Sequence, residues 1–138
     1  MIKVFSRSKN KKLLHLVYNT NLKLKKKRLD LCKEFEFIQC ALIDLNKGET
    51  FRPHKHIWKK PRFKKTIAQE SWVVLRGKVL FYAYDIDGKL LKKIILHKGS
   101  FSITFEGGHN YIGLAKNSKI IEYKTGPYEG VKRDKVFL

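Results

Sequence analysis

The sequence predicts an all-β fold of the jelly-roll type, and three observations carry that prediction. From Glu36 onward the chain falls into short runs rich in β-branched and aromatic residues: EFIQCALIDL, TFRPHKH, ESWVVLRG, VLFYAYD, LLKKIIL, SFSITF, YIGL and KIIEY. Runs of this kind bounded by turn residues are the pattern of strands. Glycine stands at the joints, in Asn46-Lys47-Gly48, Arg76-Gly77, Asp87-Gly88 and Lys98-Gly99, where a tight turn calls for a positive φ. The eight runs suit two antiparallel sheets closing on one core.

The chain changes character near residue 35. Before it, Ser8 is placed to cap a helix through Lys11, Leu13, Leu14, Leu16 and Val17, with Asn19 to Asn21 ending it. The following LKLKKKRLDLCK alternates apolar and charged residues and fits an exposed strand or an irregular basic segment. The expected organisation is a short helical or irregular N-terminal extension over residues 1–34, packed on a β domain over residues 35–138.

A length of 138 residues suits one domain with its own apolar core. Hydrophobic residues make up 43% of the chain and aromatic ones 12%, as in ordinary globular proteins. No apolar run reaches the roughly 18 residues that a membrane helix needs, and MIKVFSRSKNKK lacks the pattern of a secretory leader. A cytoplasmic protein without a membrane span is expected. Cys32 and Cys40 form no CxxC pair and have no neighbouring His, so they read as buried thiols.

The formal net charge is +19, from 31 Lys and Arg against 12 Asp and Glu. Such a charge suits nucleic acid, an anionic membrane or phosphorylated substrates. Lysine is spread along the whole chain, however, and no Arg and aromatic residues interleave on one face, so nucleic acid is not the expected partner. The stretch IWKKPRFKKTIAQ, residues 57–69, breaks the strand rhythm with Pro61 and five basic residues and reads as a long loop. Loops of this length inside a compact domain are often lids or binding loops.

The chemistry-bearing residues centre on His54-Lys55-His56, followed by Glu70, Gly77 and, after Gly107-Gly108, His109. Residues two apart on a strand share a face, so His54 and His56 point together while Lys55 points away. An isolated HxH is more often a pair of surface histidines. A carboxylate from Glu70 and a third imidazole from His109 make the set suit a first-row divalent ion with open positions. The same alternation puts Arg52 beside the histidines, Trp72 beside Glu70 and Tyr111 beside His109, as candidate substrate-binding residues. His15 and His97 lack a partner at metal-site spacing and read as surface or packed residues.

GETFRPHKH with ESWVVLRG resembles the first cupin motif, and GSFSITFEGGH resembles the second. More narrowly, RPHKH, ESWVVLRGKVLFYAYDIDGKLLKKIIL and the ending EYKTGPYEGVKRDKVF resemble the WbuC family of cupin-fold metalloproteins, associated with bacterial O-antigen and surface-polysaccharide clusters. The chain departs from the pattern in two places. Thirteen residues separate His56 from Glu70, and the second motif has Phe105 where Pro is usual and a shortened turn before His109. Gln69 is the neighbouring alternative to Glu70, but the spacing to Gly77 favours Glu70.

The resemblance implies a cupin double-stranded β-helix. It implies one divalent metal, Fe, Mn, Ni, Zn or Cu, held by His54, His56, Glu70 and His109. It further implies a role in sugar or sugar-nucleotide metabolism, in the manner of an isomerase or epimerase. The alternatives are an iron-dependent dioxygenase and a non-catalytic sugar- or anion-binding module. The expected partner is a small molecule, a phosphorylated or nucleotide-linked sugar, drawn by Lys59, Lys60, Arg62, Lys64 and Lys65. A homodimer is expected by family analogy.

Overall fold

In the computed structural model, which describes residues 1–19, 24, 27–58, 60 and 64–138, the chain is almost entirely β and every strand pairing is antiparallel. The strands are β1 (Ile2–Phe5), β2 (Leu13–Tyr18), β3 (Arg28–Asp30), β4 (Ala41–Ile43), β5 (Glu70–Arg76), β6 (Lys78–Tyr84), β7 (Leu90–His97), β8 (Phe101–Thr104), β9 (His109–Gly113) and β10 (Lys119–Lys124). One turn of helix, α1, follows at Val131–Asp134. A five-stranded sheet has the order β1-β2-β8-β5-β10, a three-stranded sheet the order β7-β6-β9, and β3 pairs with β4.

The two larger sheets share one apolar cluster. Val4, Val17 and Val74 from the first meet Val79, Phe81, Ala83, Ile94 and Leu96 from the second. Along β6 the alternation is strict, with Val79, Phe81 and Ala83 buried between more exposed neighbours. Each large side chain buried in this way contributes about 1.5–3 kcal/mol. The other face of the five-stranded sheet is covered as well. There Leu16, Phe101, Ile103 and Phe105 pack with Leu31, Cys32, Ile38, Cys40 and Leu42 of the β3–β4 region.

That double cover explains the main departure from the sequence expectation. The segment read as an N-terminal helix is the strand β2, LLHLVY, buried at its four inner positions. A strand covered on both faces loses its period-two alternation, and its apolar run then mimics helical spacing. Ser8 caps no helix; it lies in the turn closed by the Ser6 amide on the Lys12 carbonyl, 2.8 Å away. The first residues therefore supply two strands of the main sheet. Thr20 and Asn21 of the expected helix end lie outside the described residues. So do Leu22, Lys23, Lys25 and Lys26 of the first basic run, and Lys59, Pro61, Arg62 and Phe63 of the later loop.

TFRPHKH was also expected as a strand, and it lies in none. Pro53 sits in its middle, where it cannot donate to a ladder. The other runs hold strands, EFIQCALIDL only over Ala41–Ile43, and β5 begins at Glu70. Between β5 and β6 the chain reverses at Gly77, whose φ is +75° and where an added Cβ would lie 2.6 Å from Ser118 Oγ. Only glycine suits both demands.

Asp85, just after β6, ties the end of β1 to the three-stranded sheet. Its buried carboxylate accepts from Ser6 Oγ at 2.6 Å, from the Arg7 and Ser8 amides at 2.7 and 3.1 Å, and from the Ile86 amide at 2.8 Å. Burial opposes ionisation, but these four donors hold the carboxyl well below the usual Asp range.

Candidate functional site

Strand register places the site. Across the five-stranded sheet, His15 on β2 stands opposite Thr104 on β8, Thr104 opposite Glu70 on β5, and Glu70 opposite Lys124 on β10. The next row runs Val17, Ser102, Trp72 and Glu122. Directly opposed residues share a face. Ser102 Oγ lies 2.8 Å from the hydroxyl of Tyr111 on β9, so this face looks toward the three-stranded sheet.

Glu70 and His109 meet between the sheets. His109 Nε2 lies 3.0 Å from Glu70 Oε1, and Trp72 Nε1 donates to the same oxygen at 2.5 Å. The side chains keep 12% and 24% of their surface exposed, so the pair opens to solvent without being washed by it. Burial pushes the Glu70 carboxyl upward, but the bonds from His109 and Trp72 and the charges of His109 and Lys135 together hold it below the ordinary Glu value. A carboxylate only accepts, so His109 donates from Nε2, which leaves Nδ1 as its second ring nitrogen. That Nδ1 is buried and has no hydrogen-bond partner among the described residues.

Aromatic rings form one wall. Trp72 and Tyr111 stack at 3.8 Å and 4°, with Phe81 behind Tyr111 at 5.1 Å and His109 beside it at 5.6 Å. Tyr111 is spent on Ser102, and burial raises its phenol far above the ordinary range. The C-terminal segment borders the site too. Lys124 Nζ lies 3.1 Å from Asp134 and 4.1 Å from the ring centre of Tyr128, and a Cβ added at Gly108 would run into Leu138.

His54 and His56 are exposed on the loop after β4, their rings 5.5 Å apart at 77°. His54 Nδ1 donates to the Arg52 carbonyl at 2.9 Å. Arg52 is exposed and, since the segment is not a strand, the expected shared strand face does not form. The structure therefore brings together Glu70 with His109, Trp72 with Tyr111, and His54 with His56. Among the described residues no group of three or more His, Cys, Asp or Glu is arranged to hold a metal ion. Gln69 is turned to other work: its side chain accepts from the Ile38 amide and donates to Glu36.

Sequence reasoning missed Lys124, Asp134 and Lys135, while His15, read as surface or packed, is packed. Alternation along KIIEYK with its partner ESWVVLR would have put Lys124 beside Glu70. Asp134 and Lys135 arrive by a turn that carries no such signal. Comparison with protein-family models, curated proteins and solved structures gave no match.

Proposed function

We propose that the chain is a metal-binding cupin that acts on a sugar or sugar nucleotide of bacterial surface-polysaccharide metabolism. The observation that carries the reading is the paired Glu70 carboxylate and His109 imidazole, with an orphaned buried nitrogen on the same ring. An unpartnered buried nitrogen is costly unless it serves a ligand. His54 and His56 would complete the set, and three imidazoles with one carboxylate are a donor set suited to a divalent transition ion. When bound, the ion would polarise a substrate carbonyl or hydroxyl oxygen.

The chain's own residues supply the rest. Glu70, held ionised at neutral pH, contributes negative charge. His109, bonded to Glu70 through Nε2, would offer its Nδ1 to the ion. The Trp72–Tyr111 stack offers a flat apolar wall to a sugar ring. Arg52 and the exposed Lys60, Lys64 and Lys65 favour a phosphorylated substrate. Calorimetry of the Ni²⁺-loaded protein against a panel of nucleotide sugars tests this. Metal-dependent binding of at least one member is expected, and no binding across the panel overturns it.

A further inference from the structure

His15 has no part in the chemistry above, yet it is fully buried at the seam of the two sheets, with Phe81 edge-on at 5.7 Å. A buried imidazole is costly unless both nitrogens are partnered. Here both are. Nε2 lies 2.9 Å from the Tyr84 carbonyl and Nδ1 3.0 Å from Thr104 Oγ1. A carbonyl only accepts, so the proton sits on Nε2, and Nδ1 accepts from the Thr104 hydroxyl. Burial lowers the ring pKa to about 4, the Tyr84 carbonyl opposing and nearby His109 reinforcing, so the neutral form is the one held.

The Tyr84 backbone has a second engagement, through its N–H. This group donates to the Gly108 carbonyl at 2.8 Å, and the preceding Ala83 pairs with His109. Gly107, at φ +83°, packs straight onto this arrangement: an added Cβ would lie 2.6 Å from the Tyr84 oxygen and 3.4 Å from His15 Nε2. Gly107 and Gly108 form the turn by which the chain leaves β8 and delivers His109 to β9. A closed circuit results. Glu70, Thr104 and His15 are successive neighbours across one sheet, His15 grips Tyr84 of the other, Tyr84 grips the turn, and the turn sets His109 against Glu70.

We propose that His15 is a positioning residue for His109, acting through Tyr84 and the Gly107–Gly108 turn. The inference rests on reading Glu70 and His109 as the functional pair. Two substitutions separate bonding from bulk: His15→Leu fills the space without a donor, and His15→Gln keeps an N–H for the Tyr84 carbonyl.

The test is the ¹⁵N-resolved ring spectrum of His109 in the metal-free full-length chain, followed by Co²⁺ titration. The wild type should show the Nε2–H form with a ring proton protected by Glu70. In His15→Leu, folded by its amide spectrum, that protection should fall at least tenfold and Co²⁺ affinity with it, and His15→Gln should restore both. If His15→Leu does not fold, Thr104→Val, which removes only the donor to Nδ1, is read in the same way. A folded His15→Leu or Thr104→Val protein with an unchanged His109 ring signal overturns the proposal. A ring signal that depends on His15 in a chain that binds no Co²⁺ supports the positioning role while removing the metal reading.

Discussion

His109 on β9 donates from Nε2 to Oε1 of Glu70 on β5 across 3.0 Å, so the two sheets meet at an imidazole and a carboxylate. The pair is held at the mouth between the sheets by strand register on one side and a two-glycine turn on the other.

Glu70→Gln keeps the shape of the side chain and removes its charge. Losing an outer partner of a metal ligand already costs about 10–100-fold in affinity, so Glu70→Gln is expected to weaken Co²⁺ binding at least about 100-fold. Stability should change little, because the residue is partly exposed and Gln still accepts from Trp72. Calorimetric titration with urea unfolding checks both halves.

The Trp72–Tyr111 stack predicts a graded response. Trp72→Ala should cost about 3 kcal/mol, the low end for a large aromatic because Trp72 is partly exposed. Tyr111→Phe, which leaves only the Ser102 hydroxyl unpartnered, should cost about 1 kcal/mol. Urea denaturation measures both. Iodide should quench the emission of the fully exposed Trp58 and spare that of Trp72.

Acid should weaken the fold in two windows. His15 binds a proton near pH 6.5 when unfolded and only near 4 when folded. Between those values the unfolded chain holds more protons, so stability rises with pH across the window and falls on acidification, by on the order of 3 kcal/mol in all. Asp85 acts lower down. Its depressed pKa contributes stability that is present above the ordinary Asp value and lost as pH falls below it. Unfolding curves from pH 7 to 2 should therefore show His15→Gln flattening only the upper window and Asp85→Asn only the lower one.

Cys32 and Cys40 should stay reduced and slow to react. Burial raises both thiols, Cys32 to about 11 from 9.0, which leaves about 100-fold less thiolate on Cys32 at neutral pH. Iodoacetamide should label Cys32 in the native chain far more slowly than in urea, as mass spectrometry can follow.

Most strands from Glu70 to Tyr123 were legible because they run between a covered and a more open face, as Val79, Phe81 and Ala83 show on β6; β8 is buried throughout and was legible instead as a β-rich run between the turn glycines Gly99 and Gly107. The first strands were not. Leu14, His15, Leu16 and Val17 are buried on both faces, and a fully covered strand keeps no alternation to read. The site divides in the same way. Glu70 with Trp72 and His109 with Tyr111 followed from period two along well-formed strands, whereas His54, His56 and Arg52 were placed by an alternation that Pro53 does not sustain. His15 carries no local signal at all, because its partners Tyr84 and Thr104 lie 69 and 89 residues away.

The central claim is that His54, His56, Glu70 and His109 together hold one divalent ion, and metal stoichiometry tests it most directly. Protein purified without chelators, and again after saturation with Zn²⁺, Ni²⁺, Co²⁺, Mn²⁺ or Fe²⁺, is analysed alongside His54→Ala and His109→Ala. The account predicts close to one tightly bound ion per chain in the wild type and its loss in both variants. A wild-type chain that takes up none of these ions, or variants that keep theirs, would contradict it.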